Sequence, residues 1–259
     1  MASGKWIGSI LGFIIIGGPI GALAGFVLGA LIDSATDNSG NYSYDESQAE
    51  ESYTSQTSQR DEFLFSMMAL SSYIIRADGR IMHSEMEFVR QFLRSNFGVV
   101  AEKDGESILL RLFEQQKRMG PQQFRSTIMM CCQQLNRQLN TSQRLQLLNF
   151  LVLIAQADGN VCTEELMALR EITNAMGLSA QDLNSMLFLK EDNLDAAYKV
   201  LGISPSATDD EVKAAYRRMA LRHHPDRVAT LGDDVKKAAE KKFQEINAAK
   251  DRIYKARGL

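Results

Sequence analysis

The sequence predicts an all-α protein with a single N-terminal transmembrane helix, a helical middle domain with an internal repeat, and a C-terminal helical hairpin. Three observations support this prediction. An uncharged apolar run extends from Trp6 to Ile32. Apolar residues then recur at the spacing of amphipathic helices over residues 61–190. Two further amphipathic runs, Asp209–Arg222 and Asp234–Ala256, are separated by a turn that contains a proline.

The composition indicates a folded protein without the residue patterns of an enzyme. With 259 residues and 45% hydrophobic content, the chain has room for one or two globular domains. Cys131, Cys132 and Cys162 lack the paired spacing of a zinc site, and so few cysteines favour a reducing compartment. The sequence contains no Ser/His/Asp, Cys/His or phosphate-loop pattern, and its three histidines lack metal-ligand spacing. We therefore expect neither catalysis nor a required cofactor.

Residues 1–33 are predicted to anchor the protein in a membrane. A spanning helix needs about 20 apolar residues, so the uncharged run is long enough to cross the bilayer. Lys5 and Asp33 bound the run, and Trp6 suits the membrane interface. Glycines at every fourth position form a stripe on which a second helix can approach closely, which predicts a homodimer; a Gly-rich helix that does not self-associate is the alternative. The stripe consists of Gly17, Gly21, Gly25 and Gly29.

A cleaved secretory signal peptide is the competing interpretation of this segment, because Ala22-Leu23-Ala24 resembles a small-residue cleavage site. The apolar run continues past that point to Ile32, which favours an uncleaved anchor. A single lysine before the run gives a weak bias toward an N-terminus inside the cell. The orientation therefore has to follow from the function of the C-terminal region.

The middle of the chain divides into a linker and a helical domain. Residues 34–60 are rich in Ser, Asn, Tyr, Gln and acidic side chains without apolar periodicity, so we expect a flexible linker. Residues 61–190 are predicted to form an all-helical domain. Helix breaks are expected where glycine, proline or a capping residue interrupts the pattern. These positions are Gly79, Gly98, Gly120-Pro121, Asn140-Thr141, Gly159 and Gly177.

Two segments of this domain share a motif. Ala77-Asp78-Gly79 and Ala157-Asp158-Gly159 each follow an apolar helix, and each is followed by a glutamate. One interpretation is local: the glycines end a helix in the left-handed region, and Ser84 and Thr163 cap the next helix. The other is that four carboxylates converge and bind a divalent cation through oxygen ligands. These carboxylates are Asp78, Glu85, Asp158 and Glu165. Paired motifs of this kind are the hallmark of the TerB fold of tellurite-resistance proteins, which residues 61–190 resemble.

The C-terminal region, residues 194–259, is predicted to be a basic helical module. Thr208 and Glu211 have the spacing of a capping box at the start of the Asp209–Arg222 helix. From Asp195 onward the chain holds fourteen Lys and Arg against ten Asp and Glu, although its total net charge is −3. The basic residues lie largely off the apolar face of the helix, so positive charge gathers on one exposed side. That apolar face consists of Val212, Ala215, Tyr216 and Met219.

The turn His224-Pro225-Asp226 follows this helix. Pro225 cannot continue a helix and pushes the preceding residue out of the α region, so we expect His224 and Asp226 at an exposed tip. With its flanking residues this turn resembles a J domain, the module that binds Hsp70 chaperones and stimulates their ATPase. The matching residues are Ala197-Tyr198-Lys199-Val200-Leu201-Gly202-Ile203, Glu211–Leu221, Phe243, Ile246 and Ala249. Lys250 departs from the family, which usually has an aromatic residue there.

The J-domain resemblance implies a partner, an Hsp70 chaperone of the DnaK type, and a set of contact residues. His224, Pro225 and Asp226 would engage the chaperone. Exposed basic side chains would meet its acidic side, and these are Lys213, Arg217, Arg218 and Arg227.

The order of anchor, TerB-like domain and J domain resembles the DjlA-type membrane-anchored co-chaperones. This implies a single-pass protein of the inner (cell) membrane, with both folded domains in the cytoplasm, that recruits clients or partners to Hsp70. A metal- or stress-response protein, in which Hsp70 contact is secondary, is the main alternative. Nucleic-acid binding by the basic helix ranks last, because basic charge is confined to the C-terminal module.

Overall fold

The computed structural model describes Leu23, residues 53–188 and residues 193–259. Apart from Leu23, the apolar run Trp6–Ile32 lies outside the described residues, and so do its four stripe glycines and residues 34–52 of the expected linker. Among the residues that are described, none of the helices has both the length and the apolar composition needed to cross a membrane.

Helices make up the described part of the chain, in which no residue is assigned to a β-strand. The middle domain consists of six helices: α1 (Tyr53–Ile75), α2 (His83–Met119), α3 (Pro121–Gln138), α4 (Thr141–Ala155), α5 (Thr163–Ala175) and α6 (Ala180–Leu187). The C-terminal module consists of α7 (Leu194–Leu201), α8 (Asp209–Arg222), a 3₁₀ helix (Pro225–Leu231) and α9 (Asp233–Arg257). The predicted all-α fold class is confirmed.

The helix ends follow the breaks predicted from the sequence. Gly98 has a φ of 88° and interrupts the helical backbone inside α2, a conformation that is easily reached only without a Cβ. Pro121 is the first residue of α3, where its missing N–H is not needed. One boundary differs: α1 begins at Tyr53, inside the segment expected to be linker. Adding residues to an existing helix is far easier than nucleating one, and this explains how polar residues extend the start of α1.

The middle domain is built around α1 and α4, most of whose apolar side chains are buried among the surrounding helices. Leu70 of α1 and Leu148 of α4 have no exposed surface, and Leu109, Phe124 and Ile128 pack in the same cluster. Burying one such side chain stabilises the fold by about 1.5–3 kcal/mol. The core therefore holds the two Ala-Asp-Gly segments in fixed positions, since each follows one of these central helices.

The C-terminal module has a smaller core of its own but does not stand alone. Val212 of α8 packs with Ile246 and Ile253 from the second half of α9. The first half of α9 and the 3₁₀ helix instead bury four apolar residues in the core of the middle domain. These residues are Val228, Leu231, Val235 and Ala239. Helix α9 is therefore shared by the two domains, an association that the sequence did not predict.

Candidate functional site

The His-Pro-Asp turn forms a tip at the end of α8. The helix ends at Arg222, and His224 has an extended backbone, with φ −64° and ψ 127°, before Pro225 starts the 3₁₀ helix. The side chains of His224 and Asp226 retain 48% and 70% of their accessible surface. Both are therefore available to a partner.

Local contacts hold the tip in one conformation. The backbone N–H of Asp226 donates to Nδ1 of His224 at 3.3 Å, so a neutral imidazole carries its proton on the other ring nitrogen, Nε2. The ring of His224 meets Phe243 edge-on, with 6.0 Å between the ring centroids. The carboxylate of Asp226 lies 3.7 Å from the ammonium of Lys236. The tip is thus braced by α9 and presents one donor and one carboxylate outward.

The basic face of α8 lies beside this tip. Arg217 and Arg218 are exposed, and Lys213 is half-buried one turn earlier. The opposite face of α8 is buried, as predicted, with Val212 and Met219 in the module's core. Arg227 is exposed on the far side of the turn.

Arg222 belongs to the same basic run, but it binds the middle domain. Its guanidinium contacts the carboxylate of Asp182 at 2.6 Å and 3.0 Å. Asp182 is nearly inaccessible, with 3% of its surface exposed. Burial by itself raises the pKa of this carboxyl, but the hydrogen bonds from Arg222 and Ser179 outweigh burial and hold the pKa below its usual value. Arg222 therefore fixes the end of α8 to α6.

The helix α4 holds the backbone on both sides of the tip. Ser142 donates its hydroxyl hydrogen to the carbonyl oxygen of Arg222. The side-chain amide of Asn140 donates to the carbonyl oxygen of Arg227 at 3.1 Å. Gln143 adds a bond to the hydroxyl of Thr230 at 3.3 Å. The middle domain thus supports the His-Pro-Asp turn from behind while its outer side stays open.

The two adjacent histidines lie in opposite environments. His223 is buried, and burial, together with the charges of Lys242 and Arg222, lowers its pKa to about 3. It is therefore neutral at physiological pH, and among the described residues its Nδ1 has no hydrogen-bond partner. The roles of His223 and His224 cannot be told apart from the sequence, because both residues lie just before the same proline.

Lys250, the departure from the J-domain pattern, lies between two aromatic rings. Its ammonium is 5.1 Å from the ring centroid of Tyr216 and 5.3 Å from that of Tyr254. A cation over an aromatic face is stabilised by the ring quadrupole. Lys250 therefore contacts α8 through cation–π geometry at a position where the family usually has a ring.

The Ala-Asp-Gly segments form two matching turns. Asp78 accepts a hydrogen bond from the N–H of Arg80 at 2.8 Å, and Asp158 accepts one from the N–H of Asn160 at 3.0 Å. The glycines that follow the aspartates, Gly79 and Gly159, have φ of 83° and 93°. Both glycines have the positive φ that the prediction requires, but they lie four residues beyond the ends of α1 and α4, so they complete the turns and do not end the helices.

The next helices are capped one or two residues earlier than predicted. The capping positions are Met82 and Cys162, whereas the prediction placed them at Ser84 and Thr163. Glu85 accepts from the N–H of Met82 at 3.0 Å, and its counterpart Glu165 accepts from the N–H of Cys162 at 2.7 Å. The glutamate side chains satisfy the first amides of each helix, so a Ser or Thr cap is not required.

The same two glutamates meet across the pseudo-symmetric pair. Burial raises the pKa of Glu85, and a hydrogen bond to Glu165 raises it further, with a smaller effect from Asp78. Glu85 therefore keeps its proton to a higher pH than an exposed glutamate does. Among the described residues, no group of three or more His, Cys, Asp or Glu is placed to hold a metal ion. The hydrogen bonds that the structure gives to these four carboxylates at the turns and helix starts are local, as in the turn-and-cap interpretation.

Three family models match successive parts of the chain. The transmembrane domain of the co-chaperone DjlA matches residues 1–39, the tellurite resistance protein TerB matches residues 65–187, and the DnaJ domain matches residues 196–256. The models therefore occur in the order expected from the sequence, and none of them is an enzyme family. The match at the N-terminus indicates a membrane-anchored protein.

Curated relatives match the chain from end to end. The co-chaperone protein DjlA of Photobacterium profundum is 28% identical over 99% of both chains. The co-chaperone protein DjlA of Coxiella burnetii is 27% identical over 99% of this chain and 98% of its own. The human DnaJ homolog subfamily C member 7 is 46% identical over 66 residues, which are 26% of this chain and 13% of that protein. No solved structure matches the chain at a significant level.

These matches agree with the geometry described above. A DnaJ domain with an exposed His-Pro-Asp tip follows a TerB domain and a DjlA transmembrane domain, in the order shared with the full-length relatives. The chain therefore has the three domains of the DjlA-type membrane-anchored J-domain co-chaperones, in the same order.

Proposed function

We propose that this protein binds an Hsp70 chaperone of the DnaK type through its J domain, stimulates the ATPase of that chaperone and brings clients or partners to it. The observation that carries this proposal is the exposed His224-Pro225-Asp226 tip on a DnaJ domain. Binding residues are often found on exposed turns that a rigid scaffold holds in place, and this tip is such a turn.

The basic side chains around the tip steer the J domain toward its partner by electrostatic attraction. Lys213, Arg217, Arg218 and Arg227 carry the positive charge that would steer the J domain toward an acidic surface of Hsp70. His224 and Asp226 then make the close contacts. Because the middle domain holds the turn from behind, little ordering remains to be done on binding.

The membrane arrangement follows from the partner. An Hsp70 needs ATP, so the J and TerB domains belong in the cytoplasm, with Trp6–Ile32 as a single span of the inner (cell) membrane.

Two copies of the protein pair through the glycine stripe of this span, which consists of Gly17, Gly21, Gly25 and Gly29. Replacing Gly21 and Gly25 with Leu should leave insertion unchanged and weaken crosslinking between copies; undiminished crosslinking would rule out the stripe as the interface.

The decisive experiment uses His224→Gln in the full-length protein, reconstituted in nanodiscs. The parent should raise the single-turnover ATPase rate of a DnaK-type Hsp70, and the variant should lose that stimulation. The control is His83→Gln, which changes an exposed histidine in the middle domain. Circular dichroism checks that both variants remain folded. A His224→Gln protein that stimulates as well as the parent would refute the proposal.

A further inference from the structure

A cavity of about 340 Å³ lies between the middle domain and α9. Its walls come from α1, α2 and α4 on one side and from Val235 to Glu245 of α9 on the other. Volumes of this order, about 300 Å³ and above, are typical of sites that take small organic ligands. Neither the Hsp70-binding tip nor the carboxylate pair of the repeat lies in this cavity.

The wall on the middle-domain side is aromatic. Phe92 packs against Phe150 with 4.4 Å between ring centroids, and Phe88 and Phe97 lie 6.3 Å and 6.1 Å from Phe92. Phe63 completes the set and is almost fully buried. Five phenylalanines around one cavity provide a large apolar surface for the body of a ligand.

The opposite wall is basic. Lys237, Lys241 and Lys242 of α9 line the cavity, and Glu245 is the acidic residue among the lining side chains. The other polar lining residues from the middle domain are neutral: Ser95, Asn96, Gln146 and Asn149. The lining residues therefore carry a net positive charge next to an aromatic surface.

Lys242 is the strongest indication of a ligand. Its side chain is buried, with 2% of the residue exposed, and its ammonium donates to the side-chain oxygen of Asn149 at 2.9 Å. An ammonium has three hydrogens to donate, and burying it without acceptors is costly. This burial lowers the pKa of Lys242 to about 7. An anionic group in the cavity would add a charged acceptor beside Asn149 and favour the charged form of the lysine.

We propose that this cavity binds a small amphipathic anion, an aliphatic or aromatic carboxylate whose apolar body lies on the phenylalanines and whose carboxylate pairs with Lys242. Lys237 and Lys241 are exposed and add attraction at the surface. Because both domains contribute walls, the bound ligand contacts the TerB-like domain and the J domain at the same time. This proposal is independent of Hsp70 binding.

The test uses the full-length protein in nanodiscs of zwitterionic lipid and a decanoic acid that carries a photoreactive diazirine. After irradiation, mass spectrometry should locate the label on peptides that contain Phe88–Phe97 and Val235–Glu245. Excess decanoate should displace the label, whereas decanol, which has the same chain without the charge, should not. Label confined to residues 1–39 would show partition into the lipid and overturn the proposal.

Two variants and a matched control complete the test. Lys242→Met keeps the length of the side chain but removes its charge, and labelling should fall about tenfold or more, as expected for a lost charge-assisted hydrogen bond. Ala238→Trp fills the cavity from α9 and should abolish labelling if Lys242→Met does not fold. Lys255→Met removes an exposed charge from the far end of the same helix and should label like the parent. Unchanged labelling in folded Lys242→Met or Ala238→Trp would overturn the assignment.

Discussion

Arg222 and Asp182 form a two-point salt bridge between the last residue of α8 and helix α6, with N–O distances of 2.6 Å and 3.0 Å. Asp182 also accepts from the backbone N–H of Ser179 at 2.9 Å, so the start of α6 and the end of α8 share one carboxylate. The bridge fixes the J domain to the TerB domain one residue before the histidine pair. The position of the tip therefore depends on the middle domain.

The first prediction tests this bridge. Arg222→Met should lower the free energy of unfolding by about 1–2 kcal/mol, because Asp182 stays buried without its charged partner while solvent screens part of the loss. Urea unfolding followed by circular dichroism measures the change. Arg218→Met, which removes an exposed charge from the same helix, should stay within about 0.5 kcal/mol of the parent. If both variants lost the same free energy of unfolding, the salt bridge between Arg222 and Asp182 would not contribute to stability.

The second prediction concerns the buried His223. Since its pKa is about 3 in the folded protein and about 6.5 when unfolded, the unfolded chain binds the extra proton between these values. Stability should therefore fall as the pH drops below about 6.5, by about 1.4 kcal/mol per pH unit. Charged groups that face His223 are Lys242, Arg222 and Asp182, and the two cations strengthen the effect.

His223→Phe should reduce this acid sensitivity. Melting temperatures at pH 7.5 and 5.5 give the comparison, and His83→Gln, at an exposed histidine, should keep the parent's dependence. Because the paired glutamates also titrate over this range, the variant is compared with the parent, and an identical change in melting temperature in both proteins would contradict a neutral buried His223.

The third prediction concerns the paired glutamates. The pKa of Glu85 is raised, chiefly by burial and then by Glu165, so the folded protein holds a proton that the unfolded chain releases above its ordinary pKa. This contribution is fully present below that ordinary value and is lost as the pH rises through the folded value. Stability should therefore fall toward alkaline pH, and Glu85→Gln should remove the fall, because an amide still accepts from Met82 and donates to Glu165.

Melting temperatures of the parent and of Glu85→Gln at pH 5.5 and 8.5 test whether Glu85 causes the fall in stability toward alkaline pH. Glu114→Gln, at an exposed position further along α2, is the matched control and should melt like the parent at both values. If calcium at millimolar concentration raised the melting temperature and Glu85→Gln removed that rise, the pair would be a cation site after all.

Local features of the fold could be predicted from the sequence, and long-range packing could not. The breaks at Gly98 and Gly120-Pro121 and the capping box of Thr208 and Glu211 depend on a few adjacent residues. Cys162 was missed as a cap because cysteine seldom has that role. The burial of Val228 in the other domain depends on contacts far apart in sequence, which no local pattern shows.

The same distinction holds at the candidate site. The exposed tip at His224 follows from Pro225, which is a local effect. The helical position of Arg222 does not distinguish it from the exposed basic residues of α8. Its partner Asp182 is 40 residues away, and helical spacing carries no information about it.

The fourth prediction concerns the charges on α8. Arg217 and Arg218 are exposed, and we expect them to attract Hsp70 over a distance rather than to make tightly buried contacts. Arg217→Ala with Arg218→Ala should therefore weaken ATPase stimulation chiefly by slowing association. Exposed charges are screened beyond about 10 Å at 0.1 M salt and about 30 Å at 0.01 M. The loss should be larger at low salt than at high salt.

The matched control removes the same amount of charge elsewhere. Lys117→Ala with Arg118→Ala changes two exposed basic residues at the end of α2 and should leave stimulation at its parent level at both salt concentrations. Both pairs lower the net charge equally, so a difference between them reports the position of the charge. A loss that is the same for both pairs would show that total charge, and not the face of α8, attracts the chaperone. A loss for Arg217 and Arg218 that does not change with salt would instead indicate close contacts within the complex.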